Sequence, residues 1–220
     1  MSGCLNFGSL FGNVAASDAA RKALMITLKK GKRDEQKRCI DFLFSPSDKA
    51  KKGCGCLSKG EMTMEDYCLH VQRLVDGLHL KEKAIEKIGL DESQISEIPP
   101  VVLSSFIYKG DNVYTKYEET EVEGEYKYVS NKYTVTWIFF SATQIYTYTY
   151  VLDTISDDAL ETTRDFFYSD ITCIRTEHEV EEKIYEKKKG CGCLFMKKKV
   201  KYIHNNKHYD TLQITVPNDT

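Results

Sequence analysis

No stretch of this sequence approaches the roughly 20 consecutive apolar residues that a membrane-crossing helix needs, and the opening MSGCLNFGSLFGNV has neither the basic start nor the apolar run of a secretory signal. Both absences point to a cytosolic protein. No apolar segment precedes Cys4, which excludes a lipoprotein reading of Ser2-Gly3-Cys4, and Ser2 stands where N-myristoylation requires glycine. Without an export signal, the eight cysteines at 4, 39, 54, 56, 68, 173, 191 and 193 are expected to be reduced thiols rather than a disulfide framework. Neither GxSxG nor a phosphate-cradling glycine loop occurs, and His70, His79, His178, His204 and His208 lack a recognisable catalytic context. The expectation is a protein that is not an enzyme.

What is present suffices for a folded core: 220 residues, 41% of them hydrophobic. The net charge of −2 conceals segregation, because Lys187 to Lys201 holds seven lysines and no acid while Asp111 to Glu125 is mainly acidic. Helical signals fill the first part of the chain. Ser17 can cap a helix that Gly31 ends, and Asp34 can cap DEQKRCIDFLF, whose Cys39, Ile40, Leu43 and Phe44 form one stripe before Ser45-Pro46. The basic residues between Arg21 and Arg38 are read as solvated helix faces. SDKAKKGCGCLSKG, Ser47 to Gly60, has little to bury and is predicted to be a loop. Thr63 with Asp66 signals a helix start, and Met64, Tyr67, Val71, Leu74, Val75 and Leu78 recur at helical spacing. A shorter helix ends at Gly89, a further cap is expected at Asp91 to Gln94, and Pro99-Pro100 marks a candidate boundary between regions 1–98 and 99–220.

From Val101 the period changes to two: VVLSSFIY, NVYTKYEE and EYKYVS, then the dense block from Tyr133 to Ile174, and finally strands from Thr172 to about Glu186, from Leu194 to His204 and over DTLQITV. In the dense block Tyr133, Val135, Trp137 and Phe139 share one face, and Tyr146, Tyr148 and Tyr150 alternate with Ile145, Thr147, Thr149 and Val151. Asp157-Asp158 to Arg164 is expected to be a polar connection before a strand opening at Phe166. The sum is an α+β fold in which a helical N-terminal region packs on or beside an antiparallel meander of about seven strands. That meander, with FFYSDITCI late and ITVPND at the end, resembles the pleckstrin-homology-like domains of bacterial proteins over residues 100–220. The resemblance implies an open barrel and a binding module for lipid headgroups, peptides or neighbouring chains. Such domains close with a C-terminal helix; no such helix follows ITVPND, and the N-terminal helices are candidates for that plug.

The most unusual stretch is KKKGCGCLFMKKK. It is predicted to be the tip of a hairpin, with Lys187, Lys188, Lys189, Lys197, Lys198 and Lys199 flanking Leu194, Phe195 and Met196. That pattern suits a loop dipping apolar side chains into an anionic membrane, or meeting a protein partner, while the lysines face headgroups. The plainer reading is that Leu194 and Met196 enter the core and the lysines keep the turn solvated. Cys54, Cys56, Cys191 and Cys193, from the two GCGCL copies, offer a four-thiolate zinc site or a redox-responsive pair. Only one residue separates each pair, where structural zinc sites use two to four. Cys191, Cys193, His204 and His208 suggest a zinc finger, but Asn205-Asn206 reads as a turn where a finger has a helix. Cys39, Cys68 and Cys173 lie on apolar faces and read as small core residues. Glu177, Glu179, Glu181 and Glu182 around His178 read as a charged strand edge. Tyrosines near lysines could stack on single-stranded nucleic acid, but Asp153 and Asp157-Asp158 repel phosphate, so nucleic acid is not the expected partner.

Overall fold

The computed structural model describes residues 18–45, 61–91, 98–119, 126–188 and 200–216, with side chains described except at 18, 119, 176–188 and 200–212. Four helices come first: α1 Asp18–Lys29, α2 Asp34–Phe44, α3 Met64–Asp76 and α4 Leu80–Ile88. Eight strands follow: β1 Val101–Phe106, β2 Thr115–Glu119, β3 Tyr126–Ser130, β4 Lys132–Phe140, β5 Gln144–Asp153, β6 Ala159–Phe167, β7 Cys173–Lys188 and β8 Val200–Thr215. The chain divides into two compact units, Met1–Glu118 with Tyr128–Phe166, and Glu119–Lys127 with Phe167–Thr220.

The helix boundaries follow local chemistry. Gly31 takes φ +73° just beyond α1, and Gly89 takes the same value beyond α4, a left-handed position that a side chain disfavours. Thr63 caps α3 as expected: Asp66 N–H donates to its Oγ1 at 3.1 Å, and Thr63 N–H donates to Asp66 Oδ2 at 3.1 Å. At α2 the cap is Arg33, not Asp34. Arg33 N–H donates to Gln36 Oε1 at 3.0 Å, while Asp34 is already helical and accepts from Lys37 Nζ. The buried stripe of α2 is Cys39, Ile40, Phe42 and Leu43. Phe42 replaces the expected Phe44, because its ring stacks on Tyr67 of α3 at 4.7 Å between centroids. On α3, Met64, Tyr67 and Val71 are buried, but Leu74 remains 37% exposed.

Two apolar clusters hold the first unit. One joins α2 and α3 to Val129 of β3 and to Ile155. The other seats Leu80 and Ala84 of α4, with Leu90, on one face of β4 and β5 formed by Val135, Phe139, Tyr148, Tyr150 and Leu152. The alternation expected of the dense block is therefore realised, and the register explains it. Val135 pairs with Tyr150, Trp137 with Tyr148 and Phe139 with Tyr146, so the odd-numbered residues of β4 and the even-numbered residues of β5 face the helices together. Tyr148 is fully buried and Tyr150 nearly so, which withdraws them from base stacking.

The sheets depart from a simple meander. The largest has the order β1-β4-β5-β6, in which β1 pairs antiparallel with β4 and skips the separate β2-β3 pair; β7 and β8 form a third sheet. There is no closed barrel among the described residues. β6 begins at Ala159, seven residues before the expected Phe166, and takes up the stretch expected to be a polar connection. Being the last strand of its sheet, it is mostly exposed and tolerates Glu161, Arg164 and Asp165 without apolar alternation. The 3₁₀ turn Tyr168–Asp170 provides the interruption anticipated at Ser169-Asp170. The expected turn at Asn205-Asn206 is absent, because β8 runs unbroken through both residues, opposite Lys183 and Glu182. A sixteen-rung ladder outweighs the turn preference of two asparagines.

Candidate functional site

β7 and β8 pair antiparallel from Cys173↔Thr215 to Lys188↔Val200. Sixteen residues per strand at about 3.3 Å each give a ribbon on the order of 50 Å long. At one end, Thr172 N–H and Oγ1 both donate to Thr215 O at 3.0 Å. At the other end Lys187 stands opposite Lys201, and residues 189–199 connect Lys188 to its register partner Val200. Of the residues expected to meet a membrane or partner, Lys187 and Lys188 thus close the ladder. Lys189, Leu194, Phe195, Met196, Lys197, Lys198 and Lys199 lie outside the described residues, as do all four candidate thiolates, Cys54, Cys56, Cys191 and Cys193. His204 and His208 lie on β8, a strand, so the helical half of a C2H2 finger is missing there.

Two clefts are lined by described residues of the first unit. The larger, about 420 Å³, is lined by Lys32, Tyr114, Lys132 and Asp158 among apolar neighbours that include Leu28 and Leu160. Its charges are partly committed, since Lys132 Nζ donates to Asp111 O at 2.8 Å. The smaller, about 230 Å³, brings His70 near Glu35, Tyr150 and Asp157. Asp157 accepts from Arg33 and from Gln36 Nε2 at 3.0 Å, an arrangement that ties the turn after β5 to α2. Burial lowers the His70 pKa below its ordinary value, which keeps the imidazole neutral near pH 7. Cys39 is fully buried, and desolvation, helped by Glu35, pushes its thiol up to about 12. Such a thiol is inert as a nucleophile. Cys173, expected in a core, is exposed.

Sequence reasoning missed the polar centre of this unit. Asn131, between β3 and β4, is fully buried and bonded at every polar atom. Its Nδ2 donates to Asn112 O at 3.1 Å and to Asp153 Oδ1 at 3.0 Å, and its Oδ1 accepts from Tyr114 N–H at 2.7 Å. Its backbone N–H reaches Tyr114 O, and its carbonyl accepts from Thr154 N–H at 2.8 Å. Tyr67 Oη donates to Ser130 O at 2.8 Å and is hydrogen-bonded with Thr154 Oγ1 at 2.8 Å, and burial raises its pKa well above the usual phenol range. Lys116 is buried too. Its Nζ donates to Phe42 O (3.1 Å) and Ser45 Oγ (2.9 Å) at the C-terminus of α2, lies 4.0 Å from the Phe42 ring centroid and pairs with Glu118 at 3.2 Å. The only advance signal was an asparagine in the short junction SNK between two strands.

Among residues with described side chains, no group of three or more histidines, cysteines or acids is placed to hold a metal ion, and no described helix is long and apolar enough to cross a membrane. Comparison of the chain with family models, with curated proteins and with solved structures finds no match.

Proposed function

We propose that the protein is a non-catalytic binding or scaffold protein whose β7–β8 ribbon carries the segment Lys187 to Lys199 to an anionic membrane surface. The observation that carries this reading is the sixteen-rung ladder ending at Lys188↔Val200. Lys187 and Lys188 close that ladder, and in the sequence Lys189, Leu194-Phe195-Met196 and Lys197 to Lys199 lie between its two strands. Six lysines near a surface of negative headgroups contribute about 1 kcal/mol each, and three apolar side chains add insertion energy that a soluble partner would not require. The resemblance of residues 100–220 to pleckstrin-homology-like modules supports the same class of function. By contrast, Asn131, Tyr67 and Lys116 of the first unit are engaged in holding its own elements together.

Vesicle flotation tests the reading. The full chain is expected to float with phosphatidylserine-containing vesicles but not with neutral ones, and a Leu194→Ser, Phe195→Ser, Met196→Ser variant is expected to stay in the dense fraction. Equal flotation of both proteins, or none for either, overturns the membrane reading and leaves a protein partner for the basic segment.

A further inference from the structure

The four-stranded sheet has two edges, β1 and β6, and they are built differently. β6 carries Glu161, Arg164 and Asp165, the kind of charges that keep an edge strand from pairing further. β1 carries none, and the whole run from Ile98 to Ile107 is uncharged. Its Val101, Val102 and Leu103 are 43%, 49% and 46% exposed. Ile107 N–H donates to Lys132 O at 2.9 Å, one step past the Phe106↔Tyr133 rung, so the odd-numbered residues of β1 direct their backbone groups to β4. Val102, Ser104 and Phe106 turn theirs the other way, to the side on which no strand is paired among the described residues.

We propose that β1 is the contact strand of a symmetric dimer, pairing antiparallel with β1 of a second copy of this chain. A row of outward N–H and C=O groups is matched by another extended backbone, and charge decides which strand supplies it. About a two-fold axis at the middle of β6, Glu161 would stand opposite Asp165 of the second copy, acid against acid. β1 has no charge to oppose its own. The register follows from the same backbone groups. With Ser104 on the axis, Val102 stands opposite Phe106 of the second copy, and each outward-facing pair exchanges two backbone hydrogen bonds. A slip toward the N-terminus brings in Pro100, which has no N–H to donate. A six-residue strand spans about 20 Å, so the contact belongs with the small interfaces that form and dissociate with concentration. It uses neither the lysine segment nor the ribbon, and it stands apart from the membrane reading.

The test is sedimentation of the full chain, under reducing conditions, across a dilution series from micromolar to near-millimolar concentration. A reversible shift from monomer to dimer is expected. Ser104→Lys and Ser104→Glu, each of which sets like charges against each other at the axis, should weaken self-association at least about tenfold. An equimolar mixture of the two should associate at least as well as the parent, and Thr163→Lys on β6 should leave dimerisation unchanged. If a Ser104 variant does not fold, judged by circular dichroism, hydrogen exchange of the parent decides the matter: the amides of Val102, Ser104 and Phe106 should slow as concentration rises, while those of Leu103 and Ser105, already bonded to β4, should not. A monomer at every concentration overturns the proposal and leaves this edge to a strand of another protein. Folded Ser104 variants of unaltered association, a mixture that fails to recover it, or concentration-independent exchange at Val102 and Ser104 would overturn it too.

Discussion

The helix-backed sheet and the long ribbon are held by different bonds. In the first unit, groups that look chemically able are committed to structure: Asn131 bonds Asn112, Tyr114, Asp153 and Thr154, Tyr67 spans to Ser130 and Thr154, and Lys116 closes the end of α2. In the ribbon the organising bonds are the sixteen backbone rungs, and the charges and histidines are distributed along it by parity and by end. A buried polar group is costly unless its partners are fixed, so Asn131, Tyr67 and Lys116 hold architecture. The lesson is that binding chemistry should be sought where polar residues are not needed to complete a core.

That division can be broken by substitutions graded from large to small. Phe139 is fully buried in the cluster between α4 and the sheet, so Phe139→Ala leaves a cavity that packed neighbours cannot refill. We expect a loss of about 4 kcal/mol in urea unfolding. A loss below about 1 kcal/mol would mean that the helix–sheet interface is not the centre of this unit. Asn131→Ala should follow at about 3 kcal/mol, because it strips Asn112 O, Asp153 and Tyr114 N–H of buried partners at once. Tyr67→Phe removes a single hydroxyl that serves two partners while keeping the ring stacked between Phe42 and Phe106, and should cost about 1 to 2 kcal/mol. If Tyr67→Phe proved as damaging as Asn131→Ala, the hydroxyl rather than the amide would be the hub of the network.

The readability of the sequence followed the same divide, but for local reasons. Helices α1 to α4 and the alternation of β4 and β5 were legible because caps, glycines and apolar periods are local signals: Thr63 with Asp66, Gly31, Gly89, Tyr146 to Tyr150. The β1-β4 pairing was not, since nothing in VVLSSF says that its partner lies beyond an intervening hairpin. β6 was missed because an edge strand needs no apolar alternation, and the continuity of β8 because Asn205-Asn206 speaks for a turn until a partner strand is supplied. At the candidate sites, the lysines and GCGCL copies were visible as composition. The pairing of β7 with β8 exists only in the register and could not be read from spacing along the chain.

The smallest effect is the sharpest test of the contrast. Lys187 and Lys188 occupy the last two rungs of β7, where the ladder is made by backbone groups and survives a change of side chain. Lys187→Ser with Lys188→Ser should therefore leave the unfolding midpoint within about 0.5 kcal/mol of the parent. On anionic vesicles the same pair should weaken binding by about 2 kcal/mol, close to thirtyfold, and added salt should erase the difference because the attraction is screened within a Debye length. A substantial stability loss without a change in vesicle affinity would make these lysines part of the architecture, and the ribbon would then resemble the first unit in using its charges to hold itself together.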